Sequence, residues 1–260
     1  NLFEKTFVKR TQEAIDAAAE FAKAIRAVSS EYTFLNVCRL PDSNPKNETC
    51  AEGTVTPEEL DPTNEKELAF TDNPLSNQLS MVAKTIAANQ LDCSLGFRRQ
   101  TFFVLLGGWD HHDNLKENHH ALLSMVSRGM AEFHTAMGKL GLQDKVTTFT
   151  CSEFGRTLTS NGKGSDHAWG GNQMVMGGAV KGKAIYGHYP DLNRVSNNLD
   201  LGRGRLVPTT GCDEYFSELA LWFGVARHRL DEVFLNIDNF DLEKANGMPL
   251  GFLQEEAPPP

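Results

Sequence analysis

Three short stretches of this chain concentrate the side chains that could do chemistry, and glycines occur in each of them. They are Gly107–Asn114 (GGWDHHDN), Ser152–Thr157 (SEFGRT) and Gly164–Gly171 (GSDHAWGG). Carboxylate oxygens and neutral imidazole nitrogens are common ligands of divalent metals such as zinc. Glycine lets the backbone approach a bound ion closely. The three stretches therefore predict a metal site to which distant parts of the chain contribute.

The predicted metal ligands are five acidic or imidazole side chains. Asp110 and His112 would bind one ion, Asp166 and His167 would bind the same ion or a neighbouring one, and Glu153 would add or bridge a carboxylate. Two ions about 4 Å apart would clamp a phosphate or sulfate ester and polarise the attacking oxygen. We expect one or two ions of zinc, manganese or calcium, and an anionic ester as the substrate.

Two further side chains are candidates for catalysis. Arg156, in the turn after Glu153, has the planar fork that fits the oxygens of such an anion, although it could instead pair with a neighbouring carboxylate. Ser152 is the candidate nucleophile, and Thr157 and Ser165 are alternatives. The sequence lacks the Gly-x-Ser-x-Gly elbow that activates serine in many hydrolases.

The remaining histidines are weaker candidates. His111 would replace His112 if the turn were rotated, and His188 would be a third imidazole. His119 and His120 lie at the start of a predicted helix, where a role in metal binding is not needed to explain them.

Two apolar, β-rich runs are predicted to position these stretches. Residues 100–106 (QTFFVLL) and 145–151 (KVTTFTC) resemble strands, the first of them buried on both faces, and the helical spacing over residues 115–140 predicts a helix between them. Strand, helix and strand in succession indicate a doubly wound α/β sheet. Ligands of such sheets bind beyond the carboxyl ends of the strands, which is where the candidate residues follow.

The rest of the chain is predicted to form one domain over residues 1–253, followed by a disordered tail over 254–260. Helices are predicted over residues 1–29, 75–91 and 212–223, and short strands over 174–176 and 184–186. Residues 36–73 are rich in proline and polar side chains and are predicted to be a long acidic loop. Cys38 and Cys50 could close a disulfide within it, whereas Cys151 is predicted to be a buried thiol.

Charge and hydropathy exclude some classes of function. The formal net charge is −9, and nine acidic residues but only two lysines lie between Pro41 and Asn73. Binding to a nucleic-acid backbone needs clustered lysine and arginine, so this partner is not expected. The sequence contains no apolar run of about 18 residues, and no membrane span is predicted.

From Arg99 to Phe252 the sequence closely resembles the bacterial domain-of-unknown-function family 1501, which is grouped with the alkaline phosphatase and sulfatase superfamily. The matching strings include RQTFFVLLGGWDHHDN, FTCSEFGRTLTSNGKGSDHAWGG, MGGAVKGKAIYGHYPDL and GRGRLVPTT. The resemblance implies a three-layer α/β/α sandwich with a mostly parallel sheet, export to the periplasm or exterior (often by a twin-arginine signal) and a superfamily-type metal centre. By position, Asp110, His112, Glu153, Asp166 and His167 resemble the ligands of that centre.

The sequence departs from the superfamily pattern in two places. Superfamily members commonly carry Asp-His where this chain has Glu153-Phe154. Family members also begin with an export signal and a first strand bearing a Gly-Gly-x-Asp element, so this chain is expected to be a C-terminal portion. Its own N-terminal segment, or a second copy, is a candidate partner. The main hypothesis is a secreted phosphatase-type or sulfatase-type hydrolase. The alternatives are a non-catalytic surface or extracellular assembly protein and a carbohydrate-associated module.

Overall fold

The chain contains both helices and strands, and it divides into two compact units. The computed structural model describes residues 2–37, 61, 63–91, 98–193, 196–243, 245 and 247–254. The first unit comprises residues 1–107 and 124–142, and the second comprises 108–123 and 143–260. Much of the predicted acidic loop, with Cys38 and Cys50, lies outside the described residues, as does most of the predicted tail.

The first unit contains two helices, a pair of parallel strands and most of a third helix. In chain order these are α1 (Leu2–Glu31), β1 (Thr33–Val37), β2 (Glu67–Thr71), α2 (Pro74–Leu91) and α3 (Leu115–Lys139), whose first turns belong to the second unit. The strand β2 was not predicted, because its residues follow a polar stretch that reads as loop. Its apolar side chains Leu68 and Phe70 are buried in the core of this unit.

A half-buried glutamate connects three elements of the first unit. Glu132 on α3 accepts hydrogen bonds from the backbone N–H and the hydroxyl of Thr71, at the end of β2, and from the hydroxyl of Ser76 on α2. Asn73 caps α2, since its side-chain oxygen accepts hydrogen bonds from the backbone N–H groups of Leu75 and Ser76. These polar contacts fix the helices around the apolar core.

The second unit contains two antiparallel strand pairs and a C-terminal helix. They are β3 (Thr147–Phe149) with β6 (Val175–Gly177), β4 (Gly155–Ser160) with β5 (Ser165–Ala168), and α4 (Cys212–Phe223). Ala179, Leu219, Phe252 and Leu253 form a buried cluster beside α4. The predicted helices over residues 75–91, 115–140 and 212–223 are confirmed, with α4 having the predicted bounds.

The predicted buried strand over residues 100–106 is not present. This run forms no strand in the described structure, and the side chains of Phe103 and Leu105 are 82% and 65% exposed. A strand requires a neighbour for its backbone groups, and here the side chain of Gln78 instead bonds both the N–H and the carbonyl of Leu105. Residues 184–186 likewise form no strand, and Cys151 is exposed rather than buried.

The sheets are small. Each described sheet has two strands, and the parallel pair is β1 with β2. Among the described residues, no helix combines the length and apolar character needed to cross a bilayer.

Candidate metal centre

The site lies in the second unit, where the β4–β5 hairpin packs against the loop that carries Asp110 and His112. The backbone N–H of Ser165 donates to the carbonyl of His111 at 3.2 Å, and the side-chain amide of Asn161 donates to the carbonyl of His112 at 3.0 Å. Gly164 is required at this contact, since a Cβ there would lie 2.3 Å from the carbonyl oxygen of His111. The hairpin and the loop therefore present their side chains to a common position.

Three of the predicted ligands converge there. The Nε2 atom of His167 lies 2.8 Å from Oδ1 of Asp110, and Nε2 of His112 lies 3.1 Å from the same oxygen. One ligand atom from each of the three side chains lies within 4.8 Å of the others, and all three side chains are exposed. The structure thus brings a residue of the third stretch together with two residues of the first.

Arg156, on β4, holds Asp110 in place. Its Nη2 donates to Oδ1 of Asp110 at 2.8 Å and to the carbonyl of Trp109 at 2.9 Å, while its Nη1 donates to the carbonyl of Ser165 at 2.7 Å. The arginine side chain is 18% exposed, whereas that of Asp110 is 57% exposed. Arg156 therefore positions the carboxylate, and both of its terminal nitrogens are engaged.

Phe154 orients the imidazole of His167. The two rings are stacked 3.9 Å apart with 7° between their planes, and the guanidinium of Arg156 lies 5.2 Å from the centre of the phenyl ring. The imidazole of His112 stacks loosely on that of His167, with ring centres 5.2 Å apart. Phe154 thus has a structural role beside the site.

Asp166 lies next to the three-residue group. Its Oδ1 is 3.5 Å from Nδ1 of His112, so the two ring nitrogens of His112 face two different carboxylates. Its Oδ2 is 2.5 Å from Nη2 of Arg203. A carboxylate on the second nitrogen of a ligating histidine is the usual way to fix the tautomer and the ring orientation.

The pKa values of both aspartates lie below their ordinary range. A hydrogen bond with His167, and then one from Arg156, lowers the pKa of Asp110. A hydrogen bond from Arg203 is the main cause of the lowered pKa of Asp166. Both carboxylates are therefore ionised at neutral pH, which is the form that binds a cation.

The second predicted stretch contributes less than expected. The group formed by Asp110, His112 and His167 includes no residue of this stretch, and Asp166 of the third stretch also lies outside the group. Glu153 is exposed, and the hydroxyl of Ser152 donates to the carbonyl of Phe154 at 3.1 Å. Of the alternative nucleophiles, Thr157 is buried and donates to the carbonyl of Thr159, and Ser165 is also buried.

His111 is buried beside the site and does not replace His112. Its side chain is 3% exposed, its ring lies 5.7 Å from that of His119, and its Nε2 has no hydrogen-bond partner among the described residues. Burial, followed by the charges of His119 and Arg156, lowers the pKa of His111, and Asp110 opposes the shift. The imidazole is therefore held in its neutral form.

A pH-dependent stability follows for the metal-free protein. The ordinary pKa of a histidine is 6.5, and that of His111 in the folded protein is lower. As the pH falls below 6.5, His111 therefore becomes protonated in the unfolded chain before it does in the folded chain, and the free energy of unfolding decreases. We expect His111→Leu to reduce this pH dependence, measured by urea unfolding at about pH 7.5 and about pH 5.5. His188→Leu, at an exposed position, is the matched control. An unchanged pH dependence in His111→Leu would contradict the prediction.

Two site residues were missed by the sequence reasoning. Phe154 was treated as a departure from a pattern, and Arg203 was not considered. The hairpin that carries His167 was also missed, although Asn161-Gly162 between two short runs is a known turn signal. No comparable local signal links Arg203 to Asp166, because their proximity depends on the tertiary fold.

Comparison with protein-family models gives a match over most of the chain. Residues 51–234, which include every residue of the site, match a family model described as "Protein of unknown function (DUF1501)". No curated protein and no solved structure matches the chain.

Proposed function

The chain belongs to the DUF1501 family, and we propose that it is a metal-dependent hydrolase of phosphate or sulfate monoesters. The observation that carries this proposal is the exposed group formed by Asp110, His112 and His167. Three protein ligands that leave a coordination position open are typical of catalytic zinc sites, whereas structural sites are closed by four.

The donor atoms fit a small divalent cation. One carboxylate and two imidazoles suit zinc or manganese better than calcium, which prefers oxygen ligands. Ligand atoms of tetrahedral zinc lie about 3.3 Å apart, because each is about 2.0 Å from the ion. Two of the distances in this group are 2.8 and 3.1 Å, so small side-chain movements would admit the ion.

The residues of the chain would then have distinct tasks. A bound cation supplies Lewis-acid polarisation of an ester oxygen. Arg156 keeps the carboxylate of Asp110 in position, and Phe154 keeps the imidazole of His167 in its plane. We propose Ser152 as the nucleophile, and Asp166 and Glu153 as the carboxylates that would hold a second ion. The charge of Arg156 would also favour an anionic ester.

The detailed arrangement of the sheet and the cellular location are proposed from the resemblance to the family. We propose an α/β/α sandwich in which residues 100–106 become an internal strand when a further strand pairs with them. That strand would come from a longer form of this protein or from a second copy. The exposed side chains of Phe103 and Leu105 support such pairing. A periplasmic or extracellular location is proposed with it.

The same exposed run supports a second candidate function. A non-catalytic assembly protein would use these apolar side chains for contact with another copy, and would not need the metal group. Sedimentation of the protein with and without Phe103→Asp tests this alternative, because the substitution should dissociate an assembly that depends on the run. Retention of the same oligomeric state by both proteins would argue against it.

Hydrolysis of aryl phosphate and aryl sulfate esters tests the main proposal. We expect activity with zinc or manganese, its loss on chelation, and a decrease of at least about 100-fold in His167→Ala, because a ligand of the cation is removed. His228→Ala is the matched control, since this histidine is exposed outside the site. Equal activity of His167→Ala and the parent would contradict the assignment.

A further inference from the structure

Arg203 lies at the tip of a loop whose backbone is held in an unusual conformation. Gly202, Arg203 and Gly204 have consecutive positive φ angles of 97°, 63° and 73°. The left-handed region is disfavoured for a residue with a Cβ atom, so Arg203 occupies a position that glycine would fill more readily. The carboxylate of Asp200 stabilises the turn by accepting hydrogen bonds from the N–H groups of both glycines at 2.8 Å.

The same loop is fixed to strand β4 of the site. The N–H of Leu158 donates to the carbonyl of Gly204 at 3.1 Å, and the N–H of Thr159 donates to the carbonyl of Arg203 at 3.2 Å. A Cβ on Gly204 would lie 2.4 Å from the Cβ of Leu158, so only glycine permits this approach. The loop therefore holds Arg203 at a defined place on the hairpin.

The guanidinium of Arg203 reaches the metal group through Asp166. Its Nη2 is 2.5 Å from Oδ2 of Asp166, whose other oxygen is 3.5 Å from His112. The side chain is 52% exposed, whereas that of Arg156 is 18% exposed with both terminal nitrogens bonded to the protein. A guanidinium has five N–H donors, and the exposed edge of Arg203 can offer them to a ligand, whereas the Nε of Arg156 is buried and its terminal nitrogens already bond the protein.

We propose that Arg203 is the anion-binding residue of this site and recognises the tetrahedral oxyanion of a phosphate or sulfate monoester. Asp166 holds one edge of the guanidinium, and the exposed edge forms charge-assisted hydrogen bonds with the oxyanion. This inference rests on the proposed function for the identity of the ester. The binding of the anion itself can be measured with or without a metal.

The test is calorimetric titration of the full chain with inorganic sulfate, which is tetrahedral and does not precipitate zinc. We expect Arg203→Ala to weaken sulfate binding by about tenfold or more, and Arg203→Lys, which keeps the charge but loses the fork, to bind with intermediate affinity. Arg229→Ala is the matched control, because Arg229 is also an exposed arginine paired with a carboxylate, at 2.7 Å from Glu232. Thermal unfolding of each variant verifies that it is folded.

Zinc binding to the same proteins separates the two proposals. If the parent protein fails to bind zinc, the proposed function fails, and the metal-free sulfate titrations still decide the role of Arg203. Weaker sulfate binding in Arg203→Ala, with zinc affinity within a few-fold of the parent, supports the inference. Equal sulfate affinity in Arg203→Ala and the parent, or absence of sulfate binding in both, overturns it.

Discussion

Replacing Asp110 with alanine is expected to lower the affinity of the protein for zinc by at least about 100-fold, the largest effect we expect for any single change in the site. The reason is that Oδ1 of Asp110 lies at the centre of the group: it is 3.1 Å from Nε2 of His112, 2.8 Å from Nε2 of His167 and 2.8 Å from Nη2 of Arg156. Without it, two imidazoles remain, and Arg156 keeps only its backbone carbonyl partners and no carboxylate. Competition with a chromogenic chelator measures the affinity.

The matched control for this change is Asp113→Ala. Asp113 is an exposed aspartate in the same loop, so its removal causes the same change in charge without removing a predicted ligand. We expect its affinity for zinc to stay within a few-fold of the parent. Asp110→Asn should bind zinc weakly, because the amide oxygen lacks the charge of the carboxylate. Parental affinity in Asp110→Ala would remove Asp110 from the metal centre.

The helices could be predicted from the sequence because their signal is local. The 3.6-residue spacing of apolar side chains and the glycine that ends a helix act within a few turns of chain. The helix α4 accordingly begins and ends at the predicted residues, with Gly224 in the left-handed conformation after it. The acidic and imidazole residues of the site were equally recognisable by type, since such side chains beside glycines suit metal binding.

The strands show where local patterns fail. Residues 100–106 have the composition of a buried strand, yet a strand forms only when another segment takes up its backbone hydrogen bonds. The hairpin of β4 and β5 forms from polar residues because Asn161 makes its turn and because it packs on the loop at His111. The missing partner of residues 100–106 and the loop on which the hairpin packs both lie outside the segment concerned, and only the turn at Asn161 is encoded locally. The pairing of Arg203 with Asp166 depends on the tertiary structure in the same way.

Glu218→Ala is expected to lower the free energy of unfolding by about 3 kcal/mol or more, the largest loss of stability we expect outside the site. Glu218 lies on α4 and is fully buried. Its Oε2 accepts hydrogen bonds from the N–H groups of Leu250 and Gly251, and its Oε1 accepts one from Leu253, at 2.6 to 2.7 Å. Alanine would leave three backbone donors without this partner, the one of Leu253 fully buried, and would leave a cavity beside them.

Urea unfolding, followed by circular dichroism, measures this loss, and two variants explain its cause. Glu218→Gln keeps the volume, but its amide group can face the three donors with only one oxygen, so most of the loss should remain. Glu232→Ala removes an exposed carboxylate and should change stability little, because surface ion pairs contribute little. If Glu218→Gln were as stable as the parent, volume alone would explain the effect. The C-terminal segment would then be held by apolar packing around Phe252 and Leu253 rather than by the hydrogen bonds to the Glu218 side chain.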